Sequence, residues 1–473
     1  MNIINVGDPR TISLLAGQTI SVTTTGTITA TCVSGLGLTA GATIGSIHGS
    51  TVFGVYTADG VIKLTATDRD GAYEVNTDTS AQIKSVAGTA GVGVLDTVSN
   101  VTLAQSLYKR APRLRKLQSA ISKVLAGTGQ CYIGVVGDST TVGAGAGTGA
   151  KYAINARPLS PTAQLAAALV SAGIPATDDS WFGENLLEAF QGVTRVQYDT
   201  RFTVSASAAY YPNGAYQSLG GIPFRLNSAG KAVNFTPTNT VDRVDVYSYN
   251  KTAGVFDLSF AGGASLGAVT NAVTATVQKT TKSLTRGTGV LQAIWVSGDN
   301  SILGMVAYDS TVPRVNVMNW GCYGDKLTTA NGYANNTNEW RGGSVITTVA
   351  PDAVIVDMTI NTENNDGLAG VAAYKKALTT ICNDVIAAGA DLILATPHYI
   401  NSTTQTSGIC DAYVAAIREV AVTFSAPIVD VYRRLDDYTT FNTQGMYTDS
   451  LHLTAAGYRA KILETMRVIN VWA

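Results

Sequence analysis

From Pro112 onward the apolar positions fall into two alternating patterns. Leu114, Leu117, Ile121, Val124 and Leu125 recur at helical spacing, Pro112 suits a first helical turn, and Gly127 and Gly129 stop the helix. "CYIGVVGDS" is then a short apolar run, and "SPTAQLAAALVSAG" a second helix. Three further pairs follow much later: "DAVIVDMTI" before "LAGVAAYKKALTTICNDVIAAG", "DLILATPHY" before "DAYVAAIREVAVTF", and "APIVDVY" before "TAAGYRAKILETMRVINVW". Near-continuous apolar strands alternating with helices predict an α/β fold, a parallel sheet covered on both faces.

Two stretches lack the helical partner. Residues 1–95 hold runs such as "TISVTTTGTITATCV", punctuated by Gly, Asn and Asp, and read as an all-β region. Around 195–315, "DRVDVYSY", "GVFDLSF" and "VLQAIWVSG" alternate polar and apolar positions, which predicts an inserted antiparallel β-sandwich. The expected organisation is a β-rich region at 1–95, a linker at 96–111, an α/β domain in two pieces at 112–194 and 316–473, and the sandwich at 195–315. A chain of 473 residues has room for more than one such core.

Composition narrows the partners. Thirty-two basic residues against 33 acidic ones give a net charge of −1, which leaves no footprint for nucleic acid and no polybasic membrane anchor. Lys109, Arg110, Arg113, Arg115 and Lys116 read as a solvated helix face. The five cysteines are scattered without a CxxC pair, so neither a zinc site nor a disulfide framework is expected. "MNIINVGDPR" lacks the features of a secretory signal and no apolar run is long enough to span a bilayer, so synthesis in the cytoplasm without membrane insertion is expected.

The candidate chemistry gathers at strand ends, where ligands collect in open parallel sheets. In "VVGDSTTVGAG" the glycine lets the backbone turn sharply after Val136, and Ser139 projects from that turn. It is either a nucleophile or part of a strand-turn-helix cap. A nucleophile needs a base, and the chain has only three histidines. His48 stands alone in "GSIHGS" and reads as structural. His452 has Asp449 three residues before it, so a compact loop would let the carboxylate orient the imidazole; the alternative is a solvated Asp in a helix-capping loop. His398 ends another strand and is a second candidate for the rim or for packing. Asp138 and Asp325 read as loop-holding residues.

Four stretches in order, "GDSTTVG", "NWGCYGD", the Asn of "DMTINTEN" and "DSLHLTAAGY", resemble the blocks of the SGNH (GDSL-type) hydrolases. The resemblance covers about 112–194 and 316–473. It implies a flavodoxin-like three-layer domain with Ser139 as nucleophile, Asp449 and His452 completing the triad, and an oxyanion hole from Ser139, Gly324 and Asn361. No cofactor or metal is implied. The third block departs from the family pattern: Thr359 and Thr362 stand where glycine and aspartate are usual. Glu363, Asn364, Asn365 and Asp366 read as a polar rim. A carboxylate pair for glycoside cleavage drawn from Asp357, Glu363 and Asp366 would leave the Ser and His blocks unexplained. Trp181 and Trp320 are candidates for stacking on sugar rings, with core packing the commoner use.

The build as a whole resembles phage tail-associated carbohydrate esterases. That implies removal of acetyl groups from an O-acetylated surface polysaccharide, a carbohydrate-binding insertion, and an N-terminal region for attachment or trimerisation on a virion tail. Two other readings are a receptor-binding tail protein without turnover and a bacterial lipid or xylan esterase.

Overall fold

The computed structural model describes residues 114–147, 156–183, 198–205, 209–210, 218–249, 253–271, 276–328, 343–401, 407–435 and 437–469, and the backbone of six strands between residues 2 and 76. The chain divides into two units, Met1–Ala111 and Pro112–Ala473. In the first, the β-branched run Thr19–Gly35 is a long strand that pairs antiparallel with Thr43–Phe53, Gly60–Ala66 and Gly71–Asn76. His48 belongs to the strand Thr43–Phe53. The expected linker at 96–111 lies outside the described residues, as do Pro112 and Arg113.

The second unit is built on a parallel sheet. Its strands lie in the order Ile428–Val429, Asp391–Ala395, Ala353–Asp357, Cys131–Gly137, Val315–Gly321 and Ala176–Thr177. Leaving aside the short edge strand Ala176–Thr177, chain order 2-1-3-4-5 is the flavodoxin-like arrangement. Alternate side chains leave the sheet on opposite faces, because the strand repeat is two residues. Ile133, Val135, Val317 and Ile355 pack against the helices Arg115–Leu125, Pro161–Ser171 and Ala455–Ile469. Val136, Met318, Val354 and Val356 pack on the other side against Gly343–Val349, Val371–Ala387 and Ser407–Phe424. The apolar runs lack polar gaps because both their faces are covered.

The sandwich enters between the first and second of these five strands. One sheet runs Phe202–Val204, Ala232–Phe235, Leu291–Gly298, Gly254–Phe260, Val269–Asn271; the other contains Phe224–Leu226, Asn300–Tyr308, Val241–Tyr249 and Val277–Gly287. It begins earlier than the 195 expected from the alternation, because Ser180–Phe182 already pairs with Asn300–Tyr308. Only three residues long, that strand carries too little pattern to be read from sequence. The sandwich is continuous with the sheet layers: Phe182, Tyr247, Leu303 and Val306 share one core with Trp320, Met318 and Val345. At the same junction Arg201 is buried in ion pairs with Asp199 and Asp179, and Arg157 pairs with Asp178. Burial comes first among the effects on Arg157, whose pKa falls to about 9.

Candidate active site

Because paired residues of parallel strands end level, three loops leave the sheet side by side. Gly137 is in register with both Gly321 and Asp357. After Gly137 the chain turns into a helix of one turn, Ser139–Val142, whose cap is Asp138: its carboxylate accepts the Thr140 N–H at 2.9 Å and the Thr140 hydroxyl at 2.9 Å. Asp138 therefore does the capping, which leaves the Ser139 hydroxyl for other work. A Cβ on Gly137 would run into Thr141 and, at 2.7 Å, the Asp357 carbonyl, so the turn is this tight only with glycine. Gly145 has φ +85°, and a Cβ there would come within 2.9 Å of the His452 Cβ and 2.7 Å of the Leu453 carbonyl. The small residues after the serine thus let the histidine loop close onto it.

That loop, 449–452, brings the His452 imidazole to the serine. His452 Nε2 lies 2.9 Å from Ser139 Oγ, and His452 Nδ1 lies 2.9 Å from Asp449 Oδ2. Asp449 Oδ1 also accepts the backbone N–H groups of Leu451 and His452, each at 2.7 Å. Burial alone would raise the Asp449 carboxyl; the hydrogen bond and charge of His452 and these two N–H groups outweigh it and hold the carboxyl well below the usual range. An ionised Asp449 keeps the Nδ1 proton in place, so Nε2 faces Ser139 as an acceptor. Thr448 anchors the loop by donating to the Gly145 carbonyl at 2.7 Å, and the Tyr458 hydroxyl donates to the Ala144 carbonyl at 2.6 Å.

The other two loops carry Gly324 and Asn361. Gly324, with φ +70°, sits exposed in the turn after Val315–Gly321. Asn361 lies in the first turn of the helix Ile360–Asp366, and its amide donates one N–H to the Asp325 carbonyl at 3.0 Å. This bond ties the Asn361 helix to the Gly324 turn, and Lys326 reinforces it by reaching Asp366 at 2.6 Å. Asp325 Oδ1 accepts the Lys326 N–H at 2.9 Å, the loop-holding role expected of it.

Other sequence candidates fall elsewhere. Trp181 and Trp320 are each 1% exposed. Trp181 packs edge-on against Phe202 and Phe224, and Trp320 against Phe182, so neither is a stacking platform for a sugar. His398 is fully buried and donates from Nε2 to the Leu451 carbonyl at 2.8 Å. It touches the triad loop from behind rather than substrate. Burial is the main cause of its pKa falling to about 3, with Lys461 nearby adding to it, so it is neutral. Glu363 does not belong to a polar rim: it is buried against Cys410, and burial pushes its carboxyl up to about 7. Thr359 and Thr362 are buried as well, Thr359 hydrogen-bonded to Tyr374 at 2.8 Å. Sequence reasoning missed Lys461, an ammonium buried 2.5 Å from Asp357. Its signal was a lysine among the inward positions Tyr458, Ile462 and Thr465 of the last helix. Among the described residues no cluster of three His, Cys, Asp or Glu is arranged to hold a metal, and no helix is long and apolar enough to cross a membrane.

A hydroxyl, an imidazole and a carboxylate form one hydrogen-bonded chain at the carboxyl edge of a flavodoxin-like sheet, the arrangement that the SGNH resemblance implies. Residues 283–460 match the model of the GDSL-like lipase/acylhydrolase family, a span that contains Gly324, Asn361, Asp449 and His452 but not Ser139. Solved structures similar to the chain include a lipase/acylhydrolase from Enterococcus faecalis, at 23% identity over 33% of this chain and 74% of that one, with a TM-score of 0.26. An acetylxylan esterase from Geobacillus stearothermophilus matches at 18% identity over 33% of this chain and 73% of that one, TM-score 0.27. A family two carbohydrate esterase from Cellvibrio japonicus matches at 11% identity over 58% of this chain and 97% of that one, TM-score 0.26. Among curated proteins none matches the chain.

Proposed function

We propose that the protein is a serine esterase that removes acetyl groups from a carbohydrate through an acyl-enzyme. The observation that carries this reading is the continuous chain from Ser139 Oγ through His452 to Asp449, 2.9 Å at each link. Oγ attacks the acetyl carbonyl carbon while its proton passes to Nε2. The bond from that carbon to the sugar oxygen then breaks, and Nε2 returns the proton to the departing sugar hydroxyl. Water completes the cycle: it gives one proton to Nε2 and attacks the acetyl carbon, Oγ leaves with that proton, and acetic acid departs, losing its own proton to solvent as acetate. The negative charge on the former carbonyl oxygen is met by the N–H groups of Ser139 and Gly324 and the second N–H of the Asn361 amide, with each such donor worth about 3–4 kcal/mol in acyl-transfer enzymes.

The finer reading is an O-acetylated surface polysaccharide as substrate, met partly by the sandwich. The separate β unit before residue 112 would serve attachment or trimerisation on a virion tail. The sandwich's shared core with the hydrolase layers supports a joint role for the two in holding a long substrate. Acetate release measured over a panel of acetylated polysaccharides tests it, with Ser139→Ala as the blank. Release from at least one glycan, absent in the variant, is expected. Polysaccharide binding without any release would favour a receptor-binding protein, and faster hydrolysis of long acyl esters than of acetates would favour a lipid esterase. Sedimentation of the full chain reads the trimer directly.

A further inference from the structure

The turn that carries Ser139 is flanked by charges the acyl-transfer steps do not use. Asp138 and Asp357 are 1% and 8% exposed; one precedes the serine, the other ends the neighbouring strand opposite Gly137. Facing them from the last helix is Lys461, 4% exposed, with Nζ 2.5 Å from Asp357 Oδ2, an ion pair by distance and charge whose angles are not those of a hydrogen bond. The same oxygen accepts the Thr141 hydroxyl at 3.4 Å, and Thr141 belongs to the one-turn helix of Ser139. Asp138 spends Oδ1 on Thr140 and has no hydrogen-bond partner for Oδ2 among the described residues. Asp138 feels both neighbours: burial raises its carboxyl most, Asp357 adds to the rise, and Lys461 opposes it. His398, neutral, also senses Lys461, and Tyr458 on the same helix faces both Asp138 and Asp357.

Burying an ammonium is expensive unless it is paired, and a leucine among Tyr458, Ile462 and Thr465 would fill the same helix face without that cost. What an aliphatic side chain lacks is a charge able to fix a carboxylate in place. The helix with Lys461 also begins directly after the loop of His452, so the ion pair links the element that carries the base to the elements beneath the nucleophile.

We propose that Lys461 is a positioning residue for acyl transfer: by holding Asp357, and through it Thr141, it sets the one-turn helix that aims Ser139 Oγ at His452 Nε2. This rests on the esterase reading. Without the ammonium, two buried carboxylates repel each other under the turn, and the hydroxyl shifts while the acyl-binding surface stays as it was.

The test compares full-length Lys461→Met, Asp357→Asn and the double variant, measuring kcat and KM on an aryl acetate together with the melting temperature, with Ser139→Ala as the blank. Lys461→Met is expected to lose about thirtyfold in kcat with KM within about twofold, and the double variant to recover about tenfold of that loss, because it removes both members of the pair. Turnover of folded Lys461→Met close to wild type, or a double variant no faster than the single one, would overturn the inference. If Lys461→Met is not recovered folded, Asp357→Asn decides, and unchanged kcat there has the same meaning. An inactive wild type, or an active Ser139→Ala, sinks the esterase reading itself and the inference with it; an active wild type with a silent Ser139→Ala leaves only Lys461 at stake.

Discussion

Replacing Asp449 by Asn removes one thing while keeping most of the rest. Asp449 Oδ1 holds the N–H groups of Leu451 and His452 at 2.7 Å, and an asparagine carbonyl oxygen can keep both. The amide nitrogen then takes the place of Oδ2, 2.9 Å from His452 Nδ1. An NH2 group donates, so Nδ1 must accept, the ring proton moves to Nε2, and Nε2 points a hydrogen at Ser139 instead of a lone pair. In other serine hydrolases this exchange of tautomer costs about 10⁴ in kcat. At about 1.4 kcal/mol per factor of ten, that is about 5.5 kcal/mol of lost transition-state stabilisation. Steady-state hydrolysis of an aryl acetate at pH 8, alongside thermal unfolding, measures it. Asp449→Asn should fold and lose about four orders of magnitude in kcat with KM little changed. A folded Asp449→Asn within about tenfold of wild type would refute the claim that the carboxylate sets the tautomer.

Four other outcomes follow from the geometry. Asn361→Ala should lower kcat by about 10²–10³ on an aryl acetate with a smaller effect on KM, since it deletes the proposed oxyanion donor and the bond to Asp325. His398→Leu leaves the Leu451 carbonyl without its buried donor and should cost about 1–3 kcal/mol in urea unfolding. Glu363, buried and raised from 4.5 to about 7, binds its proton more tightly folded than unfolded, so stability it contributes is present below about pH 4.5 and is lost as pH rises through 7. Glu363→Gln should remove a fall of about 3 kcal/mol between pH 4.5 and 7, read by urea unfolding across that range. Asp449 has the opposite sign: its depressed carboxyl contributes stability above about pH 3.9 that is lost as pH falls further, so Asp449→Asn should flatten the acid limb of the stability curve.

What the sequence made legible was whatever depends on local order. Val135, Val354 and Leu392 sit in uninterrupted apolar runs because both sheet faces are covered, and those runs predict the strands observed. The pairing of His452 with Asp449 was readable because three residues suffice to make it. Other features depend on which distant surfaces meet. Trp181 and Trp320 lie near the site blocks in sequence, yet Trp181 points into the sandwich's own core and Trp320 into the core shared with the sandwich, which no local pattern discloses. Glu363 reads as rim in a run of Asn and Asp, but helical geometry turns it inward onto the helix Ser407–Phe424. Lys461 and Asp357 are separated by about a hundred residues of chain, and only the layered sheet brings them together.

Trapping the covalent intermediate tests the central claim most directly. The protein is mixed briefly with an aryl acetate, quenched in acid, digested and examined by mass spectrometry. An acetyl group on the peptide that carries Ser139, absent when that residue is Ala, is the expected result. Hydrolysis that continues with no acetyl at Ser139, or with acetyl on another residue, would contradict the account.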